Sequence, residues 1–210
     1  MEFAPFLPGF IAAYSILFVA ASSPGPAVAM ILGIATGQGR AGALVAALGI
    51  ATGSLMINLA TLFGVGLLLA EISWAMMALR VIGAGYLLWL ARGAFRKALN
   101  PPPLFAAELP AQRPAQLFLK GLLLQVTNPK AIVFWLAITS IGATKGGGAA
   151  IVALFATGAF AISFTMHALW GVVLSAGPVR AAYRKGRRWI EATLGAFFCF
   201  AAFKLATSRG

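Results

Sequence analysis

Apolar residues occupy this chain in long blocks, and the polar residues gather in the gaps between them. Six blocks, roughly 6–34, 42–70, 72–91, 117–143, 149–175 and 189–206, are long enough to cross a bilayer as helices. A hydrocarbon core of about 30 Å takes about 20 apolar residues. A tight turn near Glu71 joins the second block to the third, which predicts a helical hairpin there. The N-terminal stretch has Glu2 in place of a basic leader, and its apolar run continues past Ala27. It reads as a retained first helix rather than a cleaved signal.

Composition agrees. Of 210 residues, 61% are hydrophobic and 10% charged, with a mean hydropathy of +0.93. A soluble domain is about half apolar and about a quarter charged. The formal charge of +12 would suit a nucleic-acid binder, but basic residues collect in the cytoplasmic loops of membrane proteins and give the same excess. The chain is therefore not expected to bind nucleic acid.

The charges also set an orientation. Arg40 lies in the first link, Arg92, Arg96, Lys97, Arg113 and Lys120 in the third, and Arg180, Arg184, Lys185, Arg187 and Arg188 in the fifth. The opposite links hold only Glu71 and Lys145. The basic links belong in the cytoplasm, which puts both termini on the far side of the membrane, although Lys204 and Arg209 run against the trend.

The chain is poor in reactive groups. It has no Asp, its acids are Glu2, Glu71, Glu108 and Glu191, and His167 and Cys199 are each alone. An intrachain disulfide is impossible, and neither a metal cluster nor a catalytic triad can be built from these parts. No cofactor is called for, and an enzyme is not expected.

The stretch "NPPPLFAAELPAQRPAQ" holds Pro101, Pro102, Pro103, Pro110 and Pro114, too many for a helix. It divides the chain into three spans (1–97), a cytoplasmic linker (98–116) and three further spans (117–210). A shift of 105 residues aligns the halves without a gap. Pro24 falls on Pro129, Gly37 on Gly142, Arg40 on Lys145, Gly42 on Gly147, and Ala51-Thr52-Gly53 on Ala156-Thr157-Gly158. Three spans per half is an odd number, so the second half enters from the opposite face. The expected fold is six transmembrane helices arranged as two inverted three-helix repeats, with helices one and four broken, as in many secondary transporters.

The breaks are "SSPGPA" (Ser22 to Ala27) and "TNPKA" (Thr127 to Ala131). Proline removes an amide and leaves a carbonyl one turn earlier without its donor, and Gly25 loosens the first break further. Bare backbone polar groups are untenable against lipid, so both breaks must face protein or a wet cavity. A half-helix that begins after a break offers N–H groups to a carboxylate, and one that ends before it offers carbonyls to an ammonium. Two facing breaks would thus hold a zwitterion. The candidate binding residues are Ser23, Pro24, Gly25, Pro26, Thr127, Asn128, Pro129 and Lys130, with Ser54 and Asn58 lining the cavity or linking helices.

Lys130 is expensive at this depth and marks a pathway or an ionic partner, the competing reading being a side chain that reaches the interface. His167 could relay protons, as could Lys130, although a lone membrane histidine is as often a link between helices. Gln125 is a further wall candidate or interhelical link. Gly49 and Gly53 are spaced for close helix packing. Arg80 reads as structural, paired with Glu71, facing the cavity or reaching the interface. Trp89, Trp135 and Trp170, at or near span ends or cavity walls, read as filler or belt residues.

"SPGPAVAM" (Ser23 to Met30), "GRAGALVAALGIATG" (Gly39 to Gly53), "GAGYLLWLARG" (Gly83 to Gly93) and "FLKGLLLQVTNPKAIVFW" (Phe118 to Trp135) together resemble the LysE/RhtB family of bacterial amino-acid exporters, over nearly the whole chain. The resemblance implies a secondary-active exporter in the bacterial inner membrane, driven by the proton gradient, with its site at Pro24, Gly25, Pro26, Asn128, Pro129 and Lys130. The implied partners are an amino acid, protons and membrane lipid, with a homo-oligomer possible. Many relatives carry an acidic residue near the positions of Ser54, Ala27 or the fifth helix, where this chain has none. Nothing would balance a charged side chain in low dielectric, so the cargo is expected to be a small or branched neutral amino acid. A cation exporter would want Cys, His or carboxylate ligands, which are scarce. An exporter of another small solute and a non-transporting assembly or sensor protein stay open.

Overall fold

A computed structural model describes residues 3–65, 73–101 and 112–207. Among them all regular structure is helical: α1 Leu7–Ser22, α2 Pro26–Ala60, α3 Ser73–Leu99, α4 Pro114–Val126, α5 Pro129–Thr139, α6 Ala149–Leu174 and α7 Gly177–Thr207. A 3-10 turn, Ala4–Phe6, leads into α1, and a π-helical turn, Thr61–Val65, follows α2. Glu2, the turn at Glu71, Arg209 and most of the proline-rich linker, with Glu108, lie outside the described residues, as do the side chains of Arg80, Arg180, Arg184 and Lys204.

The chain is an all-α membrane protein. Ala4–Ser22, Pro26–Gly64 and Ala149–Leu174 are each long and apolar enough to cross a bilayer. Pro114–Val126 and Pro129–Thr139, bent by 59° at their junction, are together long and apolar enough for a broken span or a re-entrant loop. Leu7, Ile11 and Phe18 on α1 are exposed, as are Leu154 and Leu169 on α6, an outward apolar face that suits lipid.

The block 6–34 is cut at 23–25, at the expected break, and its second half meets the next block within α2 at a kink at Gly39, beside the Arg40 of the expected link. Ser23 and Gly25 are extended, and Pro26 then starts a new helix at the position where its missing amide costs nothing. The stretch "RAAYRKGRR", expected as a link, is the first part of α7. Arg, Ala and Lys are strong helix formers, and Pro178 sits where a helix tolerates proline. Inside α2 the continuity fails only at Gly39, whose φ of 73° and ψ of −170° are confined to glycine.

The chain divides into two compact units, Met1–Leu68 with Ala106–Ser175, and Leu69–Phe105 with Ala176–Gly210. The second holds α3 packed on α7, where a side chain on Gly195 would collide with the Phe95 ring. Glu191, on α7, is only 3% exposed.

In the first unit α2 packs against α4 and α6. The crossing with α4 is made by glycines. A Cβ on Gly49 would fall on the Phe118 carbonyl, one on Gly121 on the Ala46 carbonyl, and one on Gly53 would lie 2.9 Å from both Gln125 Cβ and the Leu122 carbonyl. The expected close packing at Gly49 and Gly53 is present, and Gly121 is its counterpart. Phe10, Leu17, Trp135, Ile138 and Phe155 form one apolar cluster; Ile31, Ile34, Ile50 and Leu117 form another. Tyr14 stacks on Phe155 at 5.3 Å and donates its hydroxyl to the Phe155 carbonyl at 3.0 Å, in space left by Gly158.

Candidate functional site

Both helix breaks open onto one cavity in the first unit. Its wall takes Ala20, Ser23, Gly25, Pro26, Ala27 and Val28 from the first break, and Gln125, Asn128, Lys130, Ala131, Phe134 and Trp135 from the second. Ser54 of α2, and Ser163 and His167 of α6, complete its polar lining. The volume is about 40 Å³, room for a few water-sized groups at roughly 10–15 Å³ each.

The polar groups follow from the prolines. Pro24 has no amide to give the Ala20 carbonyl, four residues earlier in α1. Lys130 replaces it. Its Nζ donates to the Ala20 carbonyl at 3.2 Å and the Ser23 carbonyl at 3.1 Å, and it also bonds the Ser23 hydroxyl. The Ser23 hydroxyl in turn donates to the Ala20 carbonyl at 3.1 Å. A Cβ on Gly25 would sit 3.4 Å from the lysine nitrogen, so the glycine keeps that approach open. The C-terminal end of α1, negative in its dipole, thus carries an ammonium from the other break.

The second break is built differently. Pro129 denies an amide to the Gln125 carbonyl, which instead accepts from the Asn128 N–H at 3.1 Å. The Asn128 side chain accepts from the Lys130 N–H at 3.1 Å and caps α5. α2 has no side-chain cap, and Ala27 and Val28, whose amides fall in the unpaired first turn, lie on the cavity wall. The start of α2 thus leaves two first-turn amides on the wall, and that of α5 only the Ala131 amide.

His167 Nδ1 lies 2.8 Å from the Ser163 carbonyl. A carbonyl only accepts, so Nδ1 carries the hydrogen and Nε2 of the neutral ring is the proton-accepting nitrogen. The Trp135 indole donates to the Ser54 hydroxyl at 2.9 Å.

Of the candidates from the sequence, Ser23, Gly25, Pro26, Ser54, Gln125, Asn128, Lys130 and His167 line the cavity. Pro24 and Pro129 shape it without lining it, and Thr127 is exposed, its hydroxyl returned to the Leu123 carbonyl at 2.7 Å. Asn58 is fully buried and lies off the wall. Trp135, expected at a span end or cavity wall, is a wall residue, 2% exposed, and its indole has a polar partner. Ser163 and Phe134 were passed over. Phe134 stands one helical turn from Lys130, a spacing that could have placed it there.

The sequence matches the LysE type translocator family over residues 18–209, and the chain belongs to that family. It is 28% identical over 208 residues to the threonine efflux protein of Escherichia coli K12, covering 95% of this chain and 98% of that one. Identity to the threonine efflux protein of Salmonella typhi is 28% over 197 residues, 91% of this chain and 94% of that one. A leucine efflux protein of Salmonella choleraesuis is 31% identical over 114 residues, 54% of this chain and 53% of that one. No solved structure matches the chain.

Proposed function

We propose that this member of the LysE type translocator family is a secondary-active exporter of small neutral amino acids, coupled to protons and working by alternating access around its two helix breaks. The observation that carries the reading is the bond from Lys130, at the second break, to the Ala20 and Ser23 carbonyls of the first. A solute's ammonium competes for those carbonyls. The displaced lysine, together with the uncapped start of α2, takes the carboxylate. The substrate thus enters by exchanging partners with an ion already in place, and no buried charge is left bare.

The wall carries one lysine and no carboxylate, which favours a cargo without a charged side chain. The volume favours a small one, and relatives named for threonine and leucine efflux are consistent with neutral cargo. His167 shares the wall with Lys130 and presents Nε2 for a proton, the supporting feature for coupling.

The repeat reading draws support from the element boundaries. α1 ends at Ser22 and α4 at Val126, a difference of 126 − 22 = 104, and α2 and α5 start at Pro26 and Pro129, a difference of 129 − 26 = 103. Both are within two residues of the shift read from the sequence. On this reading the repeats are 1–97 and 117–210, the protein spans the bacterial inner membrane, and both termini face the periplasm.

Liposomes holding the purified protein and preloaded with a panel of labelled amino acids test this. Small neutral ones should exchange or leave faster with an imposed pH gradient, and Lys130→Ala should suppress the flux. If no amino acid moves in either direction, with or without the gradient, the reading fails.

A further inference from the structure

Ser54, Asn58 and Thr61 follow one another at spacings of four and three residues, so they share one face at the end of α2. Trp135 and Thr139 oppose them from α5. Two hydrogen bonds link these faces, the Trp135 indole to the Ser54 hydroxyl at 2.9 Å and the Thr139 hydroxyl to the Thr61 hydroxyl at 3.0 Å. Thr61 passes its own hydrogen to the Asn58 carbonyl at 2.9 Å.

Between the two rungs the Asn58 amide is completely buried, and neither its nitrogen nor its oxygen has a hydrogen-bond partner among the described residues. A native fold rarely leaves both ends of a buried amide unpaired. Asn58 lies one helical turn beyond Ser54, which is on the cavity wall, and α2 passes into a π-helical turn just after it. Such turns recur at functional sites.

We propose that Asn58 is a second subsite for the dipolar head of the solute, separated from the central cavity by the Trp135–Ser54 hydrogen bond. This inference rests on the exporter reading. An amide offers a donor and an acceptor side by side, which match the carboxylate and ammonium of an amino acid without adding net charge. When the indole leaves Ser54, the polar face runs from the cavity past Asn58 to Thr61 and Thr139. The partners missing in the closed state are then supplied by the passing solute.

The test uses the full chain in liposomes, with Cys199→Ser as background so that Asn58→Cys is the only thiol. A small membrane-impermeant methanethiosulfonate should label it slowly. Adding Trp135→Phe, which keeps the ring and removes the donor, should speed labelling about tenfold, and a saturating transported amino acid should slow it again. Equal rates with and without Trp135→Phe, or indifference to the solute, overturn the proposal. Independently, Asn58→Leu should cut exchange about tenfold while Tm holds or rises, because an unpaired polar group is removed. Wild-type exchange in Asn58→Leu overturns the subsite, and so does a Tm that falls together with exchange, which would make the amide structural. A wild-type chain that moves no amino acid defeats the exporter reading, while the effect of Trp135→Phe on labelling, which needs no transport, still decides the gate.

Discussion

The Lys130 ammonium donates to the Ser23 carbonyl across 3.1 Å, joining residues 107 positions apart in the chain. Lys130→Met should leave the Ser23 carbonyl without this donor, at about 1–3 kcal/mol for an unsatisfied group, and the Ala20 carbonyl with the Ser23 hydroxyl alone. Lower Tm and loss of flux are the expected outcome. Lys130→Arg should not rescue flux, because the planar guanidinium fork is a poor substitute for a compact ammonium beside Gly25. Thermal unfolding and exchange measured on both variants check this.

Pro24 acts through what it lacks. Pro24→Ala should return a backbone amide to the Ala20 carbonyl and loosen the hold of Lys130 on α1. The expected result is unchanged or higher Tm with slower exchange, a pairing that separates the loss of flux from misfolding.

The glycine crossing gives a contrast in stability. Gly49→Val and Gly121→Val each place a side chain inside the facing backbone, and overpacking of that kind costs about 1–3 kcal/mol or more. Gly85→Ala on α3, where a Cβ meets nothing within 4 Å, should be neutral or stabilising by about 0.4–1 kcal/mol. Size-exclusion profiles and Tm after extraction distinguish the two classes.

His167→Gln keeps a polar side chain on the wall but cannot titrate. Exchange by this variant should persist and lose its response to an imposed pH gradient. Lys130 is the charged group that shares the cavity with His167, so wild type and variant should be compared at the same pair of internal and external pH values. A gradient response equal to that of the wild type would remove His167 from the coupling step.

Some of this architecture is legible in the residues themselves. Prolines at 24, 26 and 129 remove amides wherever they occur, so the interruptions and the polar character around them follow from local chemistry. The spacing of Gly49 and Gly53 likewise announces a close crossing. What local chemistry cannot give is the partner. Nothing near Lys130 in the sequence says that its ammonium will end on α1, and nothing near Gly49 points to Gly121. The bond from Trp135 to Ser54 is hidden in the same way, because a tryptophan at membrane depth has the same local signature in a belt as on a cavity wall. The helical start of α7 was hidden by its charges, which mark solvent but not conformation.

Gly39 has a wider consequence. The amides of Ala27 and Val28 lie on one limb of α2 and Ser54 lies on the other, and this single residue outside helical geometry is all that separates the limbs. A rotation about its two dihedrals would swing one wall of the chamber against the other and move the anion-facing tip relative to the serine. Gly39→Ala, at about 1–3 kcal/mol for so strained a backbone, would oppose such a movement.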